Sequence, residues 1–204
     1  MKLFAVAGAC AVAASIGCGS VGGATPPATV RGGSGLVTSY GRIGPLKIDT
    51  SSRAQVITFA GRPAAELRRP KSGFTGSYDA LGYSCSKRKV DGDVSLPTKA
   101  APNCRTFFFI NRETGKLATF ITTVSAYHEE HGVRPEMATA TAERRLHRRV
   151  VEGCATDIYI YRRATRLTIE FAHGRTQASG HVVGGRVSAL LLRSRRDDLG
   201  LFDC

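Results

Sequence analysis

Two stretches of this chain echo one another, and that echo limits what the chain can fold into. Residues 39–63 read SYGRIGPLKIDTSSRAQVITFAGRP, and residues 126–154 read AYHEEHGVRPEMATATAERRLHRRVVEGC. Each has a tyrosine near its start, then a glycine (Gly44, Gly132), then an acid (Asp49, Glu136). A short Ser/Thr/Ala stretch follows and leads into an amphipathic run. Thr50, Ser51 or Ser52 can cap a first helix, and Thr139 or Thr141 a second, because a hydroxyl oxygen accepts the unpaired amides of a first turn. Val56, Phe59 and Ala60 line one face of the first run; Ala142, Leu146 and Val150 recur at i, i+4 and i+8 on the second. Gly61 followed by Pro63 should stop the first helix and Gly153 the second.

Strand signals follow both helices. After the first come residues 105–110 (RTFFFI) and 117–124 (LATFITTV), separated by a hairpin turn with Gly115 where positive φ is cheap. After the second come residues 157–161, 166–171 and 186–192. Leu167, Ile169 and Phe171 alternate with Arg166, Thr168 and Glu170, the period of a strand with one buried face. The expected class is therefore α+β: two tandem repeats over residues 36–125 and 126–204, each a helical segment packed on its own antiparallel sheet.

The phrase KIDTSSRAQVITFAGRP resembles the opening motif of the BamE/SmpA-OmlA outer-membrane lipoproteins, whose fold is shared by the two-repeat beta-lactamase-inhibitor proteins. Val56, Phe59, Gly61 and Pro63 match its later positions, while Thr50-Ser51 replace its Gly-Met pair. In the second repeat Met137 fits, Glu136 stands where glycine is expected, and the Gly-x-Pro is absent. The resemblance implies the repeat fold and a role in binding proteins rather than in catalysis. It implies no contact residue.

The N-terminus reads as an export signal. Lys2 precedes an uncharged run rich in Ala and Val, too short to span a bilayer, which needs roughly 20 apolar residues. The run exits through Ser15-Ile16-Gly17-Cys18, like the lipobox of bacterial lipoproteins. Residues 1–17 are the expected signal peptide, Cys18 the lipidated N-terminus, and the Gly/Pro/Ser/Thr-rich stretch to residue 35 a flexible tether. Cys10 belongs to the signal. The remaining cysteines, Cys85, Cys104, Cys154 and Cys204, are an even set in an oxidising compartment, so two disulfides are expected. The repeat argument pairs Cys85 with Cys104 and Cys154 with Cys204. Net charge is +13, and 22 of the 29 basic residues are arginine. In an exported chain such charge attracts anionic lipid and wall polymer non-specifically, and no nucleic acid is expected as a partner.

No catalytic motif stands out. His128-Glu129-Glu130-His131 lacks the i, i+4 histidines of a zincin and reads as a solvated connector, so no metal and no cofactor is expected. Ser84-x-x-Lys87 and Ser86-x-x-Lys89 satisfy SxxK, but the SDN and KTG elements of penicillin-recognising enzymes are missing. Two surfaces are candidates for partner contact. One is the arginine face of the second helix, with Arg144 and Arg148. The other is the strand face bearing Tyr159 and Tyr161 beside Arg162 and Arg163, residue types that dominate interface hot spots. For Tyr159 and Tyr161, burial under a second covered face is an equally good reading. The expected function is that of a non-catalytic, membrane-anchored protein-binding or scaffold lipoprotein of the bacterial cell envelope. The alternatives are a secreted inhibitor of an extracellular enzyme, or an envelope hydrolase with a dispersed site gathering His128 or His131 with a carboxylate.

Overall fold

The computed structural model describes residues 35–68, 78–88, 94, 103–150, 157–179 and 181–196. In chain order its elements are β1 (Leu36–Thr38), β2 (Arg42–Ile43), β3 (Leu46–Lys47), α1 (Arg53–Ala60), β4 (Ala65–Arg68), β5 (Tyr78–Ser86) and β6 (Asn103–Asn111). There follow β7 (Leu117–Thr122), β8 (His128–Glu129), α2 (Thr139–Leu146), β9 (Asp157–Tyr161), β10 (Thr165–Thr176) and β11 (Val182–Ser194). The signal, Cys18, the tether, Cys154, Gly153 and Cys204 lie outside the described residues.

The expectation of two repeats, each a helix on its own sheet, is not met. The chain is mostly β, with one seven-stranded sheet in the order β4-β5-β6-β7-β11-β10-β9 and a small four-stranded sheet, β3-β2-β1-β8. Strand β7 from the first half pairs antiparallel with β11 from the second, Phe120 opposite Leu192 and Thr122 opposite Leu190. The small sheet also joins the halves, through parallel pairing of Leu36 with His128 and Val37 with Glu129. The reason is the edge problem. Separate sheets would leave β7 and β11, both apolar, as exposed edges with unpaired amides, and pairing them removes both edges.

The likeness between the halves is local, confined to the approach to each helix. Asp49 and Glu136 both take positive φ, 60° and 72°. Their amides donate to Leu117 O and Val187 O at 2.8 Å each. Leu117 N and Val187 N in turn donate to Ser51 O and Met137 O. Each helix start is thus pinned to the second strand of a hairpin. Carboxylates hold these strained positions, with Ser194 Oγ donating to Asp49 Oδ2 at 2.8 Å and Arg105 Nη2 to Glu136 Oε1 at 2.9 Å.

The helices differ in how they end. Ser52 caps α1 in a full capping box with Gln55, and Gly61 closes it at φ 84°. At α2 the expected Thr139 or Thr141 cap is replaced by Ala138, with no side-chain bond. Thr139 is buried instead. The helix stops at Leu146, where His147 takes the left-handed conformation, and not at Gly153. Ala142, Leu146 and Val150 are nevertheless all buried as expected. Both helices are far shorter than the roughly 12–15 residues needed for stability in water, so their packing holds them.

The helices and the small sheet cover one face of the large sheet. Val56, Phe59, Phe108, Phe120, Tyr127, Leu167, Leu190 and Leu192 share this core. The opposite face is also buried, with Tyr78, Phe107, Phe109, Ile121 and Leu191 packed together with Val94. There the expected Cys85–Cys104 disulfide joins directly opposed residues of β5 and β6. Gly82 allows it, since a Cβ at that position would lie 2.7 Å from Cys104 Sγ.

An aromatic chain runs through the first core, Tyr83 edge-on to Phe108, then Phe120, then Tyr127. Burial pushes the Tyr83 phenol from its usual value near 10 up to about 12, opposed by the Arg53 guanidinium and assisted by the Glu66 carboxylate. Burial raises Tyr127 further, and Tyr83 adds to the rise. The unfolded chain therefore loses these protons first. Stability is full below about pH 10 and falls as pH rises through about 12. Urea midpoints measured from pH 8 to pH 11.5 should drop steeply for the wild type and less steeply for Tyr83→Phe. Equal slopes would show that the phenol proton is not linked to folding.

Candidate functional site

The described residues gather polar chemistry where four connections meet. The β1–β2 turn supplies Ser39, Tyr40 and Gly41. Gly41 has φ 87°, and a Cβ there would meet Thr165 Cγ2 at 2.8 Å, so the turn lies close against the start of β10. Ser39 is fully buried and uses every polar atom it has. Its carbonyl accepts from Thr165 Oγ1 at 2.7 Å, and its amide and hydroxyl donate to Glu130 Oε2 at 3.3 and 3.0 Å. Its Oγ accepts from Arg162 Nε at 3.1 Å. A hydroxyl so committed and so buried is a clamp, not a nucleophile.

What the clamp holds is exposed. Tyr40 is 65% accessible and is the one exposed large hydrophobic side chain among the described residues. The Arg162 guanidinium lies over its ring, 4.6 Å from the centroid, within cation–π range. The β9–β10 turn is closed by Arg162 N donating to Thr165 O at 2.9 Å. The chain leaving β11 docks on it, with Arg195 N to Ala164 O at 2.9 Å and Arg195 Nη1 to Arg162 O at 3.4 Å. Arg42, Lys47, Arg163, Arg195 and Arg196 are exposed around this corner. Among the described residues, the acids Glu130 and Asp49 are bonded to Ser39 and Ser194. The result is a rigid, strongly basic surface with an aromatic centre.

Of the expected partner-binding residues, Arg162 and Arg163 fall in this corner. The side chains of Tyr159 and Tyr161 lie outside the described part; their backbones sit opposite Thr168 and Arg166 on β10. Thr168 is buried, so that face of β10 is covered. Arg144 and Arg148 do not share a helical face. Arg144, on α2, donates to Thr141 Oγ1 at 3.0 Å, while Arg148 lies beyond the helix end. Tyr40 and its clamp were not singled out by sequence reasoning. The signal was the tyrosine that marks both echoing stretches, which is exposed at Tyr40 and buried at Tyr127.

The His128–His131 turn is built around a carboxylate. Glu129 is 1% exposed; its Oε1 accepts from His131 N and Val133 N at 2.8 and 3.0 Å, and its Oε2 from His131 Nδ1 at 2.9 Å. Among the described residues no three His, Cys, Asp or Glu are grouped to hold a metal. Ser84 and Lys87 lie at the end of a strand, where SxxK chemistry would need a helix start. His181, without a visible partner in the sequence, meets Glu143 of α2 at 2.9 Å.

No family model matches this chain, and no curated protein does. Among solved structures, it is similar to an extracellular protein containing a SCP domain from Bacillus anthracis str. Ames, at 9% identity and a TM-score of 0.36. That match covers 72% of this chain and 43% of the other, so this chain spans less than half of that protein's length. No helix among the described residues is long and apolar enough to cross a membrane.

Proposed function

We propose that this chain is an exported, lipid-anchored and non-catalytic binding or scaffold module of the cell envelope, and that a partner protein docks on its Tyr40–Arg162 corner. Export and anchoring rest on the signal-like N-terminus and Cys18. The single observation that carries the binding site is the exposed Tyr40 ring under a guanidinium fixed from behind by Ser39. Tyr and Arg held rigidly cost little entropy on binding, which is why such pairs concentrate interface energy. The buried Ser39 hydroxyl supports binding over hydrolysis, as does the spent carboxylate of Glu129.

Quantitative mass spectrometry of proteins cross-linked to the anchored chain in its own membranes tests the reading. Tyr40→Ala and Arg162→Ala should each cut recovery of the main partner about tenfold, in line with loss of a hot-spot residue. Arg144→Ala with Arg148→Ala should leave recovery unchanged. If the Arg144 and Arg148 double variant abolishes capture and the corner variants do not, the docking site is misplaced.

A further inference from the structure

Arg162 has one engaged edge and one open one. Its Nε–H is spent on Ser39 Oγ, and its plane rests on Tyr40. Among the described residues its Nη1 and Nη2 have no hydrogen-bond partner. Arg163, Arg195 and Arg196 stand exposed beside it, while Glu130 is turned onto Ser39. A guanidinium fixed this way presents two parallel N–H donors at the spacing of a carboxylate's two oxygens.

We infer that Arg162 is a preset carboxylate receptor and that the segment docking on this corner is an acidic peptide, read bidentately by Nη1 and Nη2 with the ligand's stem against Tyr40. This rests on the docking site proposed above and names the chemistry it recognises. A bilayer is the weaker occupant. Insertion among lipids needs a band of apolar side chains, whereas Tyr40 is the one exposed large hydrophobic among the described residues. Fixing the guanidinium in advance removes most of the rotamer cost that a free arginine incurs on binding.

The test is fluorescence anisotropy of a labelled decapeptide of alternating Glu and Ala, titrated with the full-length chain at fixed ionic strength. Arg162→Lys keeps the charge but loses the fork and the stack, and should weaken binding about tenfold, the loss of one bidentate charge-assisted pair. Tyr40→Ala, which frees the arginine, should weaken it about threefold; Tyr40→Phe, which keeps the ring, should not. Arg186→Lys, at an exposed arginine toward the other end of β11, serves as the charge-matched control and should bind as the wild type does. Glutarate should displace the peptide at lower concentration than glycerol phosphate. Wild-type affinity in Arg162→Lys would reduce the corner to a diffuse positive field. Preferential displacement by glycerol phosphate would make it a phosphate site, and either result overturns the inference. The titration needs no cellular partner, so its outcome is independent of the cross-linking experiment. A fork that fails while Tyr40→Ala still abolishes capture would leave the docking site standing.

Discussion

Replacing Phe120 by alanine should cost about 4 kcal/mol of folding stability, within the range for emptying a buried phenylalanine site. Phe120 is fully buried, its ring 4.9 Å from that of Phe108 and 5.0 Å from that of Tyr127. It sits opposite Phe108 on β6 and Leu192 on β11, where strands from the two halves meet. The loss would combine transferred apolar area, the cavity and two aromatic contacts, each worth about 0.5–1.5 kcal/mol beyond burial. A domain of this size has only about 5–15 kcal/mol in hand. Because one core serves both halves, the variant should melt in a single transition at lower urea. Tyr40→Ala, which removes an exposed ring, should shift stability by no more than about 0.5 kcal/mol. A Phe120→Ala curve with two separated transitions would restore independent modules and contradict the shared sheet.

The regular parts of this fold were legible because they carry periodicity. Leu167, Ile169 and Phe171 alternate and are buried, and the RTFFFI and LATFIT runs form β6 and β7 about the Gly115 turn. Gly61 and the cap, Ser52 among the three hydroxyls offered, were readable because caps depend on neighbouring residue types. The Cys85–Cys104 pair was reached through the repeat argument, and it forms although the single large sheet overturns that argument, because β5 and β6 are neighbouring strands. The two- and three-residue strands β1, β2, β3 and β8 gave no period to detect. The glycine-containing β5 and the short β4 after Pro63 were missed for the same reason. What misled was the echo between residues 39–63 and 126–154. Sequence similarity reports local backbone, here the matched positive φ at Asp49 and Glu136. It does not say whether two edge strands pair across the halves, which is decided by long-range contact between β7 and β11.

The corner was half legible. Arg162 and Arg163 could be named because Arg beside Tyr in a strand suggests an interface. The tyrosine that Arg162 meets is not in that strand. It lies, with Ser39 beside it, in a turn more than half the chain away in sequence, and Glu130 enters from another connection. Arg144 and Arg148 were read as one face because the helix was drawn through His147. A left-handed residue at that position, φ 51°, breaks the periodicity such a reading depends on.

Glu129→Ala should destabilise the chain by about 3 kcal/mol although it removes no apolar contact. The carboxylate is nearly inaccessible and satisfies the amides of His131 and Val133 as well as the His131 ring. Val133 is fully buried, so its stranded N–H cannot turn to water. Each buried donor left without an acceptor costs about 1–3 kcal/mol. Glu129→Gln retains one carbonyl oxygen but turns an amide toward another donor, and should fall between wild type and Ala. The effect should reach the Tyr40 corner, because Glu130, the next residue, holds both the amide and the hydroxyl of Ser39. When the turn loosens, Ser39 loses an acceptor and Arg162 loses its anchor. Glu129→Ala should therefore weaken the acidic decapeptide at temperatures where the variant is still fully folded, while Arg145→Ala, which loses one bond to Gly132 O, should not. Stability loss without any change in peptide affinity would mean that Glu130 keeps its place unaided, and that the two turns are mechanically independent.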